Sequence, residues 1–277
     1  MPTVNYAIRY SDLVDEAFRL GSLTNALVNQ MYDWVGVEAV KVYSIPTVEM
    51  SNYTLTGSSR YGEASELQNV IQTMTLSQDR AFTFTIDRKS VDDTLGVMAA
   101  AAALRREIDY VAIPEVDAYR IAAMVTGAGN NVTTQATKQN AYEVFLAGQE
   151  MLDEDKAPVR GRIAIVTPAF YNMLKLDPAF VKASDIGQRI TLNGQVGEVD
   201  GVPIIKAPSS YFPVGVNYVI TNPLCCPSPL KLQDFKIHDN PPGVNGFLVE
   251  GRLRYDAFVL DNKKDGIVYN GPATSAS

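Results

Sequence analysis

The chain has 277 residues, of which 46% are hydrophobic and 20% charged, which is enough apolar material for a core in one large or two modest domains. The formal net charge of -7 argues against a dedicated DNA-binding protein, because a negative surface does not attract phosphate backbones. No apolar block reaches the roughly 20 residues of a membrane span, and the first residues lack the pattern of a secretory signal, so we expect a protein made in the cytosol.

The first part of the chain predicts one helix and two strands. Apolar residues recur at helical spacing from Ser11 to Leu27. Strand patterns follow at Val37 to Ile45 and at about Met74 to Ile86, and they flank a long polar segment. We therefore expect an extended hairpin. Because a lone two-stranded ribbon is marginally stable in water, this hairpin should lie on another molecule.

The strongest helical signal lies in the middle of the chain. Ser90 is a suitable N-cap for a helix that runs through an alanine-rich segment to Tyr110. Pro114 precedes a second helical piece, Glu115 to Val125, which Gly127 should end. Proline is tolerated in the first turn of a helix and disruptive inside it, so two abutting helices and one kinked helix both remain open. The alanine face should pack closely against a sheet or a helix.

The second half of the chain has an α/β pattern that ends in strands. Asn-Gly and Asp-Gly dipeptides favour hairpin turns, and a proline-rich link precedes the last strands. The predicted helices are Ala141 to Asp153 and Ala169 to Leu174, and the predicted strands are Arg162 to Thr167, Gln195 to Val199, Val202 to Ala207, Val216 to Thr221, Phe247 to Asp261 and Gly266 to Tyr269.

The search for catalytic or cofactor chemistry is negative. The single histidine, His238, lies in a predicted loop, and the only cysteines, Cys225 and Cys226, are adjacent, which favours two reduced, partly buried thiols over a disulfide. The acidic groups at 92–93 and 153–155 could bind a hard cation, but they fit helix ends better. No serine-hydrolase, zinc-protease or phosphate-loop motif occurs. We predict no catalytic residue, no cofactor and no metal.

Four stretches in order resemble the major capsid proteins of tailed bacteriophages with the Hong Kong 97-type capsid fold: REIDYVAIPEVDAYRIAAM, RIAIVTPAFYNML, GEVDGVPIIKAP and LDNKKDGIVYN. The resemblance implies an α+β fold with five parts. These are an N-terminal arm (1–36), an extended E-loop hairpin (37–89), a peripheral P-domain with its spine helix and sheet (90–136), an α/β A-domain (137–240) and returning strands of the P-domain (241–277).

The resemblance also implies a function in a virion. Copies of the chain would assemble as hexamers and pentamers, in the host cytoplasm, into an icosahedral head that encloses double-stranded DNA without binding it specifically. Portal, scaffold and decoration proteins are the expected partners. The hairpin tip has no lysine, so we do not expect the Lys–Asn cross-links of some members. The candidate intersubunit contacts, each equally compatible with an internal pair or a solvated group, are Arg60, Glu63, Glu66, Arg105, Arg106, Asp117 and Arg120.

Three other functions are compatible with parts of the pattern. An encapsulin-like shell of the same fold would enclose enzyme cargo, but encapsulins usually have a shorter hairpin. A small α/β enzyme with an unrecognised site would form a small oligomer with a deep pocket. A tail-tube protein would be mainly β and would lack the alanine-rich helix.

Overall fold

The computed structural model describes residues 22–30, 39–44, 48, 50–56, 58–62, 66, 70–88, 97–179, 197–243 and 245–272. The chain divides into two compact units. Trp34–Leu76 is called the ribbon unit below, and Met1–Asp33 with Ser77–Ser277 is called the main unit. Most of the predicted N-terminal helix, the helix cap at Ser90, the carboxylates at 92–93 and the turn at 193–194 lie outside the described residues.

The ribbon unit contains a two-stranded antiparallel sheet. Strand β1 (Ala39–Ser44) pairs with strand β2 (Val70–Thr75), and within the described part of the chain neither pairs with a third strand. The predicted second strand of the hairpin is divided, however. Its later part forms β3 (Gln78–Asp87), which pairs with a strand of the main unit and not with β1.

Strand β3 belongs to a three-stranded antiparallel sheet in the order β3-β10-β9, with β9 at Leu230–Asp239 and β10 at Gly246–Tyr255. Alternation along β3 places Phe82, Phe84 and Ile86 on the face that packs on the core of the main unit. Phe82 therefore packs within its own subunit, and the expectation that such residues rest on a neighbour is wrong. His238, which we predicted in a loop, lies on β9 beside Glu250.

The central helix runs without a break but changes its type of helical turn along its length. Helix α1 (Val97–Glu107) leads into a π-helical segment (Ile108–Ala112) and then into helix α2 (Ile113–Gly127). Pro114 falls in the first turn of α2, where its missing N–H breaks no bond. The buried residues Ala100 and Leu104 pack on the three-stranded sheet as predicted for the alanine face, whereas Ile121 farther along contacts a second cluster.

A six-stranded mixed sheet forms the rest of the core, in the order β4-β11-β8-β5-β7-β6. Helices α3 (Ala141–Glu154) and α4 (Pro168–Leu176) pack against one face, and α2 packs against the other. The Thr167 side chain accepts a hydrogen bond from the Phe170 N–H and caps α4. The strands are β4 (Asn130–Val132), β5 (Ile163–Val166), β6 (Glu198–Val199), β7 (Val202–Lys206), β8 (Tyr218–Thr221) and β11 (Ile267–Asn270).

The second half of the chain follows the sequence prediction in most elements and departs from it at two strands. Asp200 and Gly201 adopt positive φ between β6 and β7, as the dipeptide predicts. Strand β4 occupies a predicted polar loop, and β9 occupies part of the predicted link. The two closing strands enter different sheets, because β10 pairs with β3 and β9 whereas β11 pairs with β4 and β8. Their common assignment to the P-domain stays a prediction.

Gly251 on β10 provides a test of the packing between the three-stranded sheet and its helix. A Cβ at this position would overlap the Phe82 ring and lie 2.9 Å from Phe235 Cδ1. We predict that Gly251→Ala lowers the free energy of unfolding by about 1–3 kcal/mol, because overpacking forces buried rings to move. Thermal melting would measure this loss. Thr83→Ala, at an exposed position on β3, should change stability by less than about 0.5 kcal/mol, and equal melting of the two variants would contradict the prediction.

Candidate functional site

Four polar residues in one stretch of α2 bind distant segments of the main unit. We call Glu115, Asp117, Tyr119 and Arg120, together with Asp256 after β10, the spine junction. Asp117 and Arg120 are the most buried of them, with side chains 1% exposed and 3.9 Å between Arg120 Nη1 and Asp117 Oδ1. A charged pair removed from water is tolerated only when hydrogen bonds satisfy its other polar atoms, so their partners define the site.

Asp117 is satisfied by the segment that precedes the ribbon unit. Its carboxylate accepts hydrogen bonds from the Ser22 hydroxyl at 2.5 Å, the Leu23 backbone N–H at 2.9 Å and the Thr24 hydroxyl at 2.5 Å. The same segment continues to Asn29, whose N–H and carbonyl bond to the backbone of Cys226 and Ser228. Residues 22–29 are therefore fixed to the rest of the main unit by both side-chain and backbone bonds.

Arg120 completes this half of the junction. Its Nη1 donates to Asn25 Oδ1 at 2.9 Å and to Thr24 Oγ1 at 3.1 Å, and its Nε donates to Ser228 Oγ at 2.8 Å. Burial lowers the pKa of Arg120, and the nearby Asp117 carboxylate opposes that shift. A guanidinium remains charged at neutral pH in either case, so this cation is held in the interior by its hydrogen bonds.

Asp256 provides the other half, at the segment that follows the ribbon unit. Its Oδ2 accepts the Ser77 backbone N–H at 2.7 Å, and its Oδ1 accepts the Tyr119 hydroxyl at 2.7 Å and the Ala257 N–H at 2.8 Å. The Ser228 hydroxyl, which accepts from Arg120, also donates to the Asp256 carbonyl at 2.8 Å. Burial raises the pKa of Tyr119, which remains a neutral donor to Asp256.

Glu115 extends the junction toward the first residues of β3. Its Oε1 accepts hydrogen bonds from Arg80 Nε at 2.6 Å and from the Tyr255 hydroxyl at 3.1 Å. Burial raises the pKa of Tyr255, and the Glu115 charge adds to the shift. The junction thus joins α2 to both chain segments that flank the ribbon unit.

The tip of the ribbon unit has a different character, because it is ordered by polar bonds and exposes large apolar side chains. The Thr54 N–H donates to the Arg60 carbonyl at 3.1 Å, and the Ser51 hydroxyl donates to the Tyr61 carbonyl at 2.7 Å. Tyr53 and Tyr61 meet edge to face, with ring centroids 5.1 Å apart. The exposed apolar residues of this unit are Tyr43, Val48, Met50, Tyr53, Leu55, Tyr61, Val70 and Ile71, with Met50 fully exposed.

The structure separates the predicted contact residues into two groups. Asp117 and Arg120 are buried and bonded within their own subunit. The exposed group is Arg60, Glu66, Arg105 and Arg106, and Glu63 lies outside the described residues. For this group an intersubunit contact stays a prediction. Arg105 is 70% exposed and its Nε lies 3.7 Å from Asp109 Oδ2, one helical turn away, a geometry that adds little stability.

The sequence did not single out Tyr119 or Asp256, nor the apolar residues of the ribbon tip. Asp256 is a lone acid in a strand-like stretch, and no spacing relates it to Ser77, whose backbone it binds. The tip could have been found, because Met50, Leu55 and Tyr61 interrupt a segment that is otherwise polar. A few large apolar residues in a loop with no core of its own are a signal for a contact surface.

The described residues contain no group of three or more His, Cys, Asp and Glu side chains that could hold a metal ion. Asp153 pairs with Arg162, and Asp155 accepts a hydrogen bond from Asn130. Cys225 and Cys226 are free and buried as predicted, and burial raises the pKa of the Cys226 thiol to about 12. Within the same residues, no helix has the length and apolar character needed to cross a bilayer.

A family model described as Phage capsid protein matches residues 71–270, which is most of the chain. The chain belongs to the phage capsid protein family. The resemblance noted in the sequence is thereby confirmed, and the capsid protein is a structural component of the virion. The matched region begins in β2 and ends with β11. It therefore includes the main unit from Ser77 to Asn270. Comparison with curated proteins finds no match.

Solved structures share the fold of this capsid protein at low identity. A structure described as Mycobacterium phage Che8 is 15% identical with a TM-score of 0.70, and 90% of each chain is covered. The capsid structure of the Cyanophage P-SCSP1u is 14% identical with a TM-score of 0.66, covering 92% of this chain and 88% of that one. A virus-like particle from Pyrococcus furiosus is 13% identical with a TM-score of 0.60, covering 96% of this chain and all of the other. These similarities confirm the predicted α+β capsid fold.

The buried charge pair of the capsid protein gives a direct test of the junction. Arg120→Met should lower the free energy of unfolding by about 3–5 kcal/mol, because it leaves Asp117 buried without its cation. Denaturant or thermal unfolding of the unassembled subunit would measure the loss. Arg105→Met makes the same replacement on the same spine at an exposed site and should cost at most about 1 kcal/mol. A loss for Arg120→Met no larger than for Arg105→Met would contradict the role of the pair.

Proposed function

We propose that this capsid protein assembles with copies of itself, as hexamers and pentamers, into the icosahedral head of a tailed phage that encloses double-stranded DNA. Assembly takes place in the host cytoplasm, with portal, scaffold and decoration proteins as further partners. The observation that carries the proposal is the family match over residues 71–270, in a chain whose ribbon unit exposes large apolar side chains among its described residues.

The ribbon supports self-assembly on energetic grounds. Two strands of six residues each bury too little to be stable alone in water. Exposed apolar groups as large as Met50, Leu55 and Tyr61 each gain roughly 1.5–3 kcal/mol when they are removed from water. Because the tip is already ordered by backbone bonds, little conformational entropy would be lost when it docks. A neighbouring copy is the partner that a shell supplies at every position.

The charge of the subunit is compatible with a container for DNA that does not bind its content tightly. A net charge of -7 gives no general attraction to phosphate, so the DNA would be confined and not coated. The intersubunit contacts proposed for Arg60, Glu66, Arg105 and Arg106 would give register and specificity more than affinity. Without a lysine at the ribbon tip, the shell would depend on noncovalent interfaces.

An encapsulin-like shell is the second candidate, and the similarity to the virus-like particle from Pyrococcus furiosus favours keeping it. Electron microscopy of the purified protein, followed by analysis of the particle contents, separates the candidates. We expect closed shells that protect double-stranded DNA from nuclease. Shells that contain enzyme cargo and no DNA would favour the compartment. Tubes, or a small oligomer of uniform size, would contradict both.

Leu55, which is 82% exposed at the ribbon tip, tests whether the ribbon drives assembly. We predict that Leu55→Asn raises the subunit concentration needed for shell formation about tenfold or more, because a buried leucine contributes roughly 1.5–3 kcal/mol to an interface. Light scattering during assembly would measure that threshold. Melting of the unassembled subunit should not change, since the side chain is exposed there.

The matched control for this experiment is Thr54→Asn. It introduces the same side chain at the adjacent position, where the native residue is already polar and exposed, and it keeps the backbone bond from Thr54 to Arg60. This variant should assemble at the concentration of the unaltered chain. The same threshold for Leu55→Asn as for Thr54→Asn would show that Leu55 is not part of an interface.

A further inference from the structure

The two segments that flank the ribbon unit are fixed to one place in the main unit. The segment before it is held at Thr24 and Asn29, and the segment after it is held at Ser77. Ser228 links the two attachments, because its N–H bonds to the Asn29 carbonyl and its hydroxyl bonds to the Asp256 carbonyl. The segments on both sides of Trp34–Leu76 are therefore held at neighbouring places in the main unit, which we call the anchors.

The anchors have more polar bonding than a helix–sheet contact needs. The apolar faces of α2 already pack against both sheets through residues such as Val116 and Ile121. Burying two carboxylates and a guanidinium beside them carries a desolvation cost that an apolar replacement would avoid. The polar groups restrict the geometry of the chain segments that they bind, because hydrogen bonds fix the position of a backbone atom more narrowly than apolar contacts do.

We propose, building on the function proposed above, that Asp117, Arg120 and Asp256 are positioning residues for assembly. Asp117 and Arg120 hold residues 22–25 in the segment that leads to the ribbon, and Asp256 holds Ser77, the first residue after it. By holding both segments they would limit the directions that the ribbon can take toward a neighbouring copy. In a shell of many copies, variation in the direction of the ribbon would change the angle between neighbouring subunits, and the curvature of the shell would vary with it. Loss of an anchor therefore changes the size of the particles and not only the stability of the subunit.

Asp256→Asn tests the anchor after the ribbon. Oδ1 accepts two hydrogen bonds and Oδ2 accepts only that of Ser77, so the amide oxygen will take the Oδ1 place and its NH2 will face the Ser77 N–H. The variant loses the Ser77 bond selectively. We expect the Ser77 amide to exchange hydrogen about tenfold faster or more. We also expect the particles in electron micrographs to vary in diameter, where the unaltered chain forms particles of one diameter.

Tyr255→Phe is the matched control. It removes a hydrogen bond of the same junction, from the Tyr255 hydroxyl to Glu115, but leaves Asp256 and Ser77 bonded. We expect it to lower the melting temperature by a similar amount and to form particles of the unaltered diameter. Particles of one diameter from Asp256→Asn would overturn the proposal, as would equally broad particles from Tyr255→Phe.

Thr24 provides an independent variant at the anchor before the ribbon, which serves if Asp256→Asn does not fold. Thr24→Val keeps the shape of the side chain and removes the hydroxyl that bonds Asp117 and Arg120, whereas Thr24→Ser restores the hydroxyl. We expect broadened particle sizes for the valine variant and rescue by the serine variant. Uniform particles from Thr24→Val would overturn the proposal. Failure of the unaltered chain to form shells would instead overturn the proposed function.

Discussion

A buried ion pair requires hydrogen-bond partners in fixed places, and this requirement organises the main unit. Asp117 and Arg120 lie on the helix that packs between two sheets, where water cannot satisfy their polar atoms. The partners come from residues 22–25 and from Ser228, which are far away in the chain. The helix can therefore take its native place only when both segments are also in theirs. Such a network adds little net stability compared with apolar packing, but the loss of one partner is costly because it leaves a buried charge unpaired.

The ribbon unit is subject to the opposite constraint. Hydrogen bonds at Ser51 and Thr54 order its tip, whereas many of its large apolar side chains are exposed. The main unit fixes the chain on both sides of the ribbon, and the ribbon has apolar area to contribute to an interface. The two units thus differ in which groups are satisfied within the chain: buried polar groups in the main unit are hydrogen-bonded, and apolar groups in the ribbon unit remain exposed.

Sequence reasoning identified most helices and strands correctly, because apolar periodicity and turn dipeptides are local signals. It failed where the structure depends on long-range pairing. The stretch from about Met74 to Ile86 was predicted as one strand, and nothing in it indicates that β2 pairs with β1 while β3 pairs with β10. Asp117 and Arg120 were found as candidates, but three residues of separation on a helix does not reveal burial. Asp256 escaped notice because its partner is a backbone N–H.

The position of β11 has a consequence for the order in which the chain can fold. This strand is the last of the six-stranded sheet in chain order, yet it lies between β4 and β8. Until it is inserted, β4 has no neighbour in that sheet and β8 has one open edge, so the domain exists only as incomplete pieces during translation. The six-stranded sheet is therefore completed only after the residues up to Asn270 have left the ribosome.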